Sequence, residues 1–181
     1  MVDFFKEGIT IKNFDGSDIP KMKIINNSVY KIVETDKSSV GKSGIPFMEA
    51  IVMEYAKRSG LPAPQVTDLL FQNGCYIFAT RLLDGFVNAK DVIKVYPEKS
   101  EELLAITEKL RQEYSSYGIQ RQMDLKDMLV KMQGDQIVGV VPVDFERVKY
   151  NDSLDWDLIY QICDEWDITL PEQYKNVGKP R

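Results

Sequence analysis

The sequence predicts an α+β fold in two lobes, and three observations carry that expectation. β-rich segments bounded by turn residues surround a single amphipathic helix in the first half. The dipeptide Asp84-Gly85 then interrupts the pattern. A helix, a loop with a small hairpin, and a second helix fill the remainder. The expected division is an N-terminal lobe over residues 1–86, antiparallel sheet plus one helix, and a mainly helical C-terminal lobe with a small hairpin over 87–181.

Taken in order, "GITIKNF" alternates as a strand and "FDGSDIP" breaks it with Gly16 and Pro20. "KMKII" and "VYKIV" are β-rich and separated by "NNS", which predicts a hairpin. The polar stretch "ETDKSSVGKSG" reads as a linker. Its "GKS" is no phosphate-binding loop, because Asp36 stands where such a loop requires its first glycine. A helix is expected from Pro46, with Phe47, Ile51 and Tyr55 four apart and Met48, Val52 and Ala56 beside them. Gly60, Pro62 and Pro64 end it. "QVTDLLF" and "GCYIFATRLL" are strands around the turn "QNG", and a connector runs to about Pro97. Leu103, Ile106, Leu110 and Tyr114 mark one face of a helix from Glu98 to Tyr114. "DMLVKM", the turn "QGD" and "QIVGVVPVDF" predict a small hairpin. The last helix carries Leu154, Leu158, Ile162 and Trp166 roughly in line. Its tryptophans are expected to pack on the C-terminal lobe with its carboxylates solvated. Pro171 stops it, and "KNVGKPR" is a frayed tail.

Composition narrows the chemistry. Apolar residues at 44% and charged residues at 28% are ordinary globular values, enough for one good-sized domain. A net charge of −5 argues against a nucleic-acid partner. The chain has no histidine, which excludes Ser-His-Asp and Cys-His catalysis and histidine-ligated zinc. Cys75 and Cys163 are far apart within apolar stretches, as expected of buried free thiols in a reducing compartment. No secretory signal and no membrane span is legible, so the expected location is the cytoplasm, with a signal-less export route left open.

Three places in the chain carry polar groups that need an explanation. Lys31 lies mid-strand on the same face as Val29 and Val33, where burial demands a partner; Glu49 or Glu54 of the following helix offers one. Asp144 ends a hydrophobic strand ahead of Phe145 and is placed to offer oxygen to a hard cation such as Mg²⁺. The loop "QRQMDLKDMLV" brings Asp124 and Asp127 just before the hairpin. Taken singly, each has an ordinary alternative: a solvated edge lysine, a turn aspartate, a loop acid.

In this order and spacing, residues 22–148 resemble the protein kinase superfamily, nearest to its aminoglycoside phosphotransferase-like and HipA-like branches. "EAIVMEYAKRSGLPAPQV" looks like their helix and strand entry, "CYIFATRLLDG" like their last small-lobe strand and hinge. "GIQRQMDLKDMLV" followed by "IVGVVPVDFERV" looks like their catalytic loop and metal-binding strand. The resemblance implies ATP and Mg²⁺ as cofactors. Lys31 would hold the α/β-phosphates and pair with Glu49. Val29 would line the adenine pocket, and the backbone of Arg81, Leu82 and Leu83 would meet the adenine edge. Asp144 and Asp127 would be metal ligands, Asp127 in the slot of the family's asparagine.

The departures are as informative. "NFDGSDIP" has one glycine where the family has a glycine-rich loop. Gln122 occupies the slot of the catalytic aspartate and takes no proton at neutral pH; Asp124, two residues on, is the candidate displaced base. Glu146 replaces the glycine of the DFG motif, and the stretch after Asp144 is too short for an activation segment and peptide-docking helices. The resemblance therefore implies a minimal core like the truncated kinase-like effectors of some bacteria, acting on or with a protein partner. Three readings stay open: an active phosphotransferase for a protein or small-molecule hydroxyl, a pseudokinase serving as a binding or regulatory module, and an unrelated α+β interaction protein.

Overall fold

The computed structural model describes residues 2–12, 18–33, 45, 47–145, 148–171 and 174. The Gly16 loop, the linker with its "GKS", Pro46, Glu146 and the "KNVGKPR" tail lie outside the described residues. The architecture is mixed α+β, and every strand pairing is antiparallel.

Strands β1 (Ile9–Lys12), β2 (Asp18–Ile25), β3 (Ser28–Ile32), β4 (Val66–Gln72) and β5 (Cys75–Arg81) form a sheet in the order β1-β2-β3-β5-β4. Its hairpins follow from turn chemistry. Asn26 and Asn27 both have positive φ between β2 and β3, as do Asn73 and Gly74 between β4 and β5. Asparagine and glycine tolerate that region, and its twist matches the flanking strands.

Between β3 and β4 runs α1 (Met48–Arg58). Eight of its residues are buried, so it is an interior helix rather than a surface one. It packs between the sheet and the last helix, α4 (Trp156–Glu165). The Tyr55 hydroxyl donates to Tyr117 O at 2.9 Å and accepts from the Asp155 N–H at 3.2 Å, while the Arg58 guanidinium forks onto Glu165 at 2.6 and 3.1 Å.

The rest is built from β6 (Phe86–Asn88), α2 (Ala89–Val95), α3 (Ser100–Ser116), β7 (Ile119–Gln120), β8 (Met128–Gln133), β9 (Gln136–Pro142) and β10 (Lys149–Tyr150). β6-β8-β9 make one small sheet and β10-β7 another. Gly118 just before β7 has φ +84, and a Cβ there would meet the backbone of Leu154 at 2.2 Å, so only glycine admits this approach.

One core runs from Val33, Ile51 and Phe78 through Leu103, Met128 and Phe145 to Ile162 and Leu170. A smaller cluster of Phe4, Ile25, Tyr30, Ile77 and Ala79 covers the opposite face of the large sheet. Among the described residues no helix is long and apolar enough to cross a membrane.

Several expectations need correction. The segment expected to be a plain connector holds β6 and α2, and the boundary expected after residue 86 falls inside β6. β6 pairs with β8, some forty residues away, and Asn88 caps α2 by accepting from the Lys90 N–H, so neither signal is periodic. The third helix runs from Ser100 to Ser116, entered through a 3-10 turn at Pro97–Lys99, and Thr107 rather than Ile106 is buried on its inner face. In α4 the buried stripe is Ile159, Ile162 and Cys163; Leu158 and Trp166 are half-buried. Its carboxylates are exposed as expected, Glu165 among them while it holds Arg58. Cys163 is buried but Cys75 is only half-buried.

Candidate functional site

Side chains alternate along β3, so Val29, Lys31 and Val33 face α1 while Tyr30 faces the smaller cluster. Lys31 lies opposite Phe78 and Val29 opposite Thr80 in the pairing with β5. α1 places Glu49 in its first turn, where the helix dipole favours a carboxylate. The result is a buried ion pair: Lys31 Nζ lies 3.0 Å from Glu49 Oε1, and Glu49 is 3% exposed. Glu54, the other candidate partner, pairs with Arg58 at 2.8 Å.

Asp144 reaches the same ammonium from the far end of the chain, 3.5 Å from Lys31 Nζ to Oδ1. Its carboxylate stays half-exposed, and its φ of +66 is a left-handed conformation that a non-glycine residue holds at a cost of about 1–3 kcal/mol. The surrounding segment is tied on both sides. The Val143 N–H donates to Asp127 O at 2.8 Å, and the Phe145 N–H donates to Glu49 Oε1 at 3.1 Å. The fully buried Phe145 ring sits 5.9 Å from that of Tyr114. Strain of this kind persists only where neighbours over-determine it.

The loop that carries Gln122, Asp124 and Asp127 follows β7. The Asp127 N–H donates to Asp124 O at 2.9 Å, and Asn88 Nδ2 donates to Lys126 O at 2.7 Å, which anchors the 3-10 turn Leu125–Asp127. Burial raises the Asp127 carboxyl above its ordinary range; the charges of Lys126 and Arg121 oppose this and Asp144 adds to it. Gln122 is exposed, and Asp124 lies 3.6 Å from Lys126 Nζ.

Gln122, Asp124, Asp127 and Asp144 all line one cleft of about 910 Å³, together with Arg121. That volume is in the range of small-molecule sites. Asp127 and Asp144 offer the oxygen donors a hard cation prefers, but among the described residues no group of three or more ligating side chains comes together. Two carboxylates suit an ion such as Mg²⁺ that completes its shell with water and phosphate oxygens.

At the expected hinge, two of the three N–H groups are engaged within the protein. Arg81 N–H donates to Gln65 O at 2.8 Å and Leu82 N–H to Asn27 O at 3.1 Å. Leu83 O accepts from the Phe86 N–H at 3.2 Å, and among the described residues the Leu83 N–H has no partner.

Arg121 is the residue that sequence reasoning passed over. It is 8% exposed, donates through Nη2 to Val143 O at 2.7 Å, and lies 4.5 Å from the centre of the Phe145 ring. A signal existed: Ile119, Arg121 and Met123 are buried while Gln120 and Gln122 are exposed, a period of two. No protein-family model matches the chain, and no curated protein matches it.

Proposed function

We propose that this chain is a minimal, kinase-like protein that binds ATP with Mg²⁺ in the cleft and transfers the γ-phosphate to a protein or small-molecule hydroxyl, working in the cytoplasm. The observation that carries the reading is Lys31 Nζ held between Glu49 at 3.0 Å and Asp144 at 3.5 Å, three residues from three separate parts of the chain. In this reading the five-stranded sheet with α1 is the small lobe, and the remainder belongs to the large lobe of the protein kinase superfamily.

Each residue then has a task. Lys31, oriented by Glu49, holds the α/β-phosphates; Val29 lines the adenine pocket and the Arg81–Leu83 backbone borders it, with the Leu83 N–H, unpartnered among the described residues, as the donor. Asp127 and Asp144 hold the metal, which when bound neutralises phosphate charge. Gln122 accepts or donates a hydrogen bond to the acceptor hydroxyl without taking its proton. Asp124, on the same cleft, takes that proton. A general base is worth about 10²–10⁴ in rate, whereas positioning and charge stabilisation supply most of phosphoryl transfer. A weakly active enzyme is therefore the expectation.

Gln122 also favours a second reading, a pseudokinase that binds nucleotide and acts on a protein partner without turnover. Incubation with γ-labelled ATP and Mg²⁺ separates the readings. Label incorporation or phosphate release that is lost in both Asp144→Ala and Asp124→Ala supports transfer. Nucleotide binding with neither product supports the pseudokinase. Absence of nucleotide binding leaves an α+β interaction protein.

A further inference from the structure

The assignments above leave one buried charge without a task. Arg121 carries its cation at 8% exposure, and among the described residues its Nη1 has no hydrogen-bond partner. A guanidinium stays protonated in any protein setting, so the cost of burying it cannot be escaped by losing a proton. Burial disfavours the charge, while Tyr114, Asp127, Asp144 and Glu49 act on it in the opposite sense. An apolar side chain of similar volume would fill the same space beside Phe145 without the desolvation cost. Stability alone does not account for an arginine here.

Its two contacts do. Nη2 holds the carbonyl of Val143, the residue before Asp144, at 2.7 Å, and the guanidinium stacks 4.5 Å from the ring centre of Phe145, the residue after it. Between these grips Asp144 has a φ of +66. The planar fork of arginine bonds at its edge and stacks through its face at once, which lysine cannot do.

We infer that Arg121 is a positioning residue: by gripping the residues on either side of Asp144 it holds that aspartate in its left-handed backbone and so sets how tightly the cleft binds a divalent cation. This rests on the reading of the cleft as a metal and nucleotide site. Released from the grip, Asp144 relaxes toward negative φ, and its carboxylate swings away from Lys31 and Asp127.

The test uses Mn²⁺ as a paramagnetic probe, titrated into the full chain with excess AMP-PNP and followed by electron paramagnetic resonance. Wild type is expected to bind Mn²⁺ and Asp144→Asn to lose it. Arg121→Met weakens Mn²⁺ about 10–100-fold, the usual range when a group orienting a metal ligand is removed. Arg121→Lys keeps the charge but loses the stack, and is expected to weaken binding about tenfold. An affinity in Arg121→Lys equal to wild type, with only the unfolding midpoint lowered, would overturn the inference. Should Arg121→Met fail to fold, Arg121→Lys and Phe145→Leu decide by the same criterion, since the latter removes the ring and leaves the hydrogen bond. If wild type shows no Asp144-dependent Mn²⁺ binding, the cleft reading itself has failed, and hydrogen exchange without metal tests the grip alone. There Arg121→Lys is expected to speed exchange of the Phe145 amide about tenfold relative to amides of β5. Unchanged protection would refute the grip.

Discussion

Removing Lys31 and Glu49 singly and then together separates a pair kept for stability from a pair kept for ligand binding. Glu49 Oε1 accepts from Lys31 Nζ at 3.0 Å and from the Phe145 N–H at 3.1 Å. Breaking a buried ion pair from one side costs about 3–5 kcal/mol. The Lys31 side chain is 13% exposed and has Asp144 at 3.5 Å, which places Glu49→Leu at the lower end, about 3 kcal/mol. For a chain of this length about 1 kcal/mol moves Tm by roughly 2–4 °C, so the midpoint falls by about 6–12 °C. Lys31→Met strips a 3%-exposed carboxylate of that ammonium, but the Phe145 N–H still serves it, and about 2 kcal/mol is expected. The double variant Lys31→Met/Glu49→Leu carries no orphaned charge and is expected to lose only about 2 kcal/mol in total, giving a coupling of about 3 kcal/mol. Urea denaturation at pH 7 reads these values. In the same proteins, Mg²⁺-dependent ATP binding should be absent from all three variants, including the double variant, which is no less stable than Lys31→Met alone. Additive single effects would refute the buried pair. A double variant that still binds ATP would refute its role.

Four further outcomes follow from the geometry. Burial raises the Asp127 carboxyl, so its contribution to folding is present below about pH 3.9 and is lost as pH rises through the raised value; Asp127→Asn should therefore be more stable than wild type at pH 7 in urea melts, with the gain shrinking toward pH 4. Burial, with Asp164 beside it, pushes the Cys163 thiol up to about 11, while Cys75 is half-buried; a disulfide reagent at pH 8 should titrate Cys75 alone in the native protein and both thiols in denaturant. Tyr55→Phe removes the hydroxyl that joins α1 to Tyr117 and Asp155 and should cost about 1–2 kcal/mol by the same denaturation assay. Gly118→Ala forces a methyl onto the Leu154 backbone at positive φ and should cost more than about 3 kcal/mol, read as loss of soluble folded protein or a steep fall in Tm.

Much of the fold was legible because its signals are local. Asn26-Asn27, Asn73-Gly74 and Gly134-Asp135 each announce a two-residue hairpin between β-rich runs, and α1 shows a wide apolar face in its own letters. The elements that escaped depend on distant partners. β6 is three residues long and exists by pairing with β8; β7 and β10 are two residues each and exist by pairing with one another. The stripe of α4 was misread because Cys163 and Ile159 are the residues turned into the core, so Leu158 is left at its margin. The site divides in the same way. A lysine in an apolar strand and an aspartate at a strand end call for partners, and the chain brings them to one another. Arg121 was overlooked because a lone arginine among glutamines looks like a solvated loop residue until its alternation with Ile119 and Met123 is counted.

The central claim is that Lys31, Glu49, Asp127 and Asp144 form one site for a metal-bound nucleotide. Isothermal calorimetry of ATP into wild type and Asp144→Ala, each with and without Mg²⁺, tests it most directly. Saturable heat in wild type only when Mg²⁺ is present, and none in Asp144→Ala, is the result this account predicts. ATP heat that is absent from wild type, or identical in the two proteins, would contradict it.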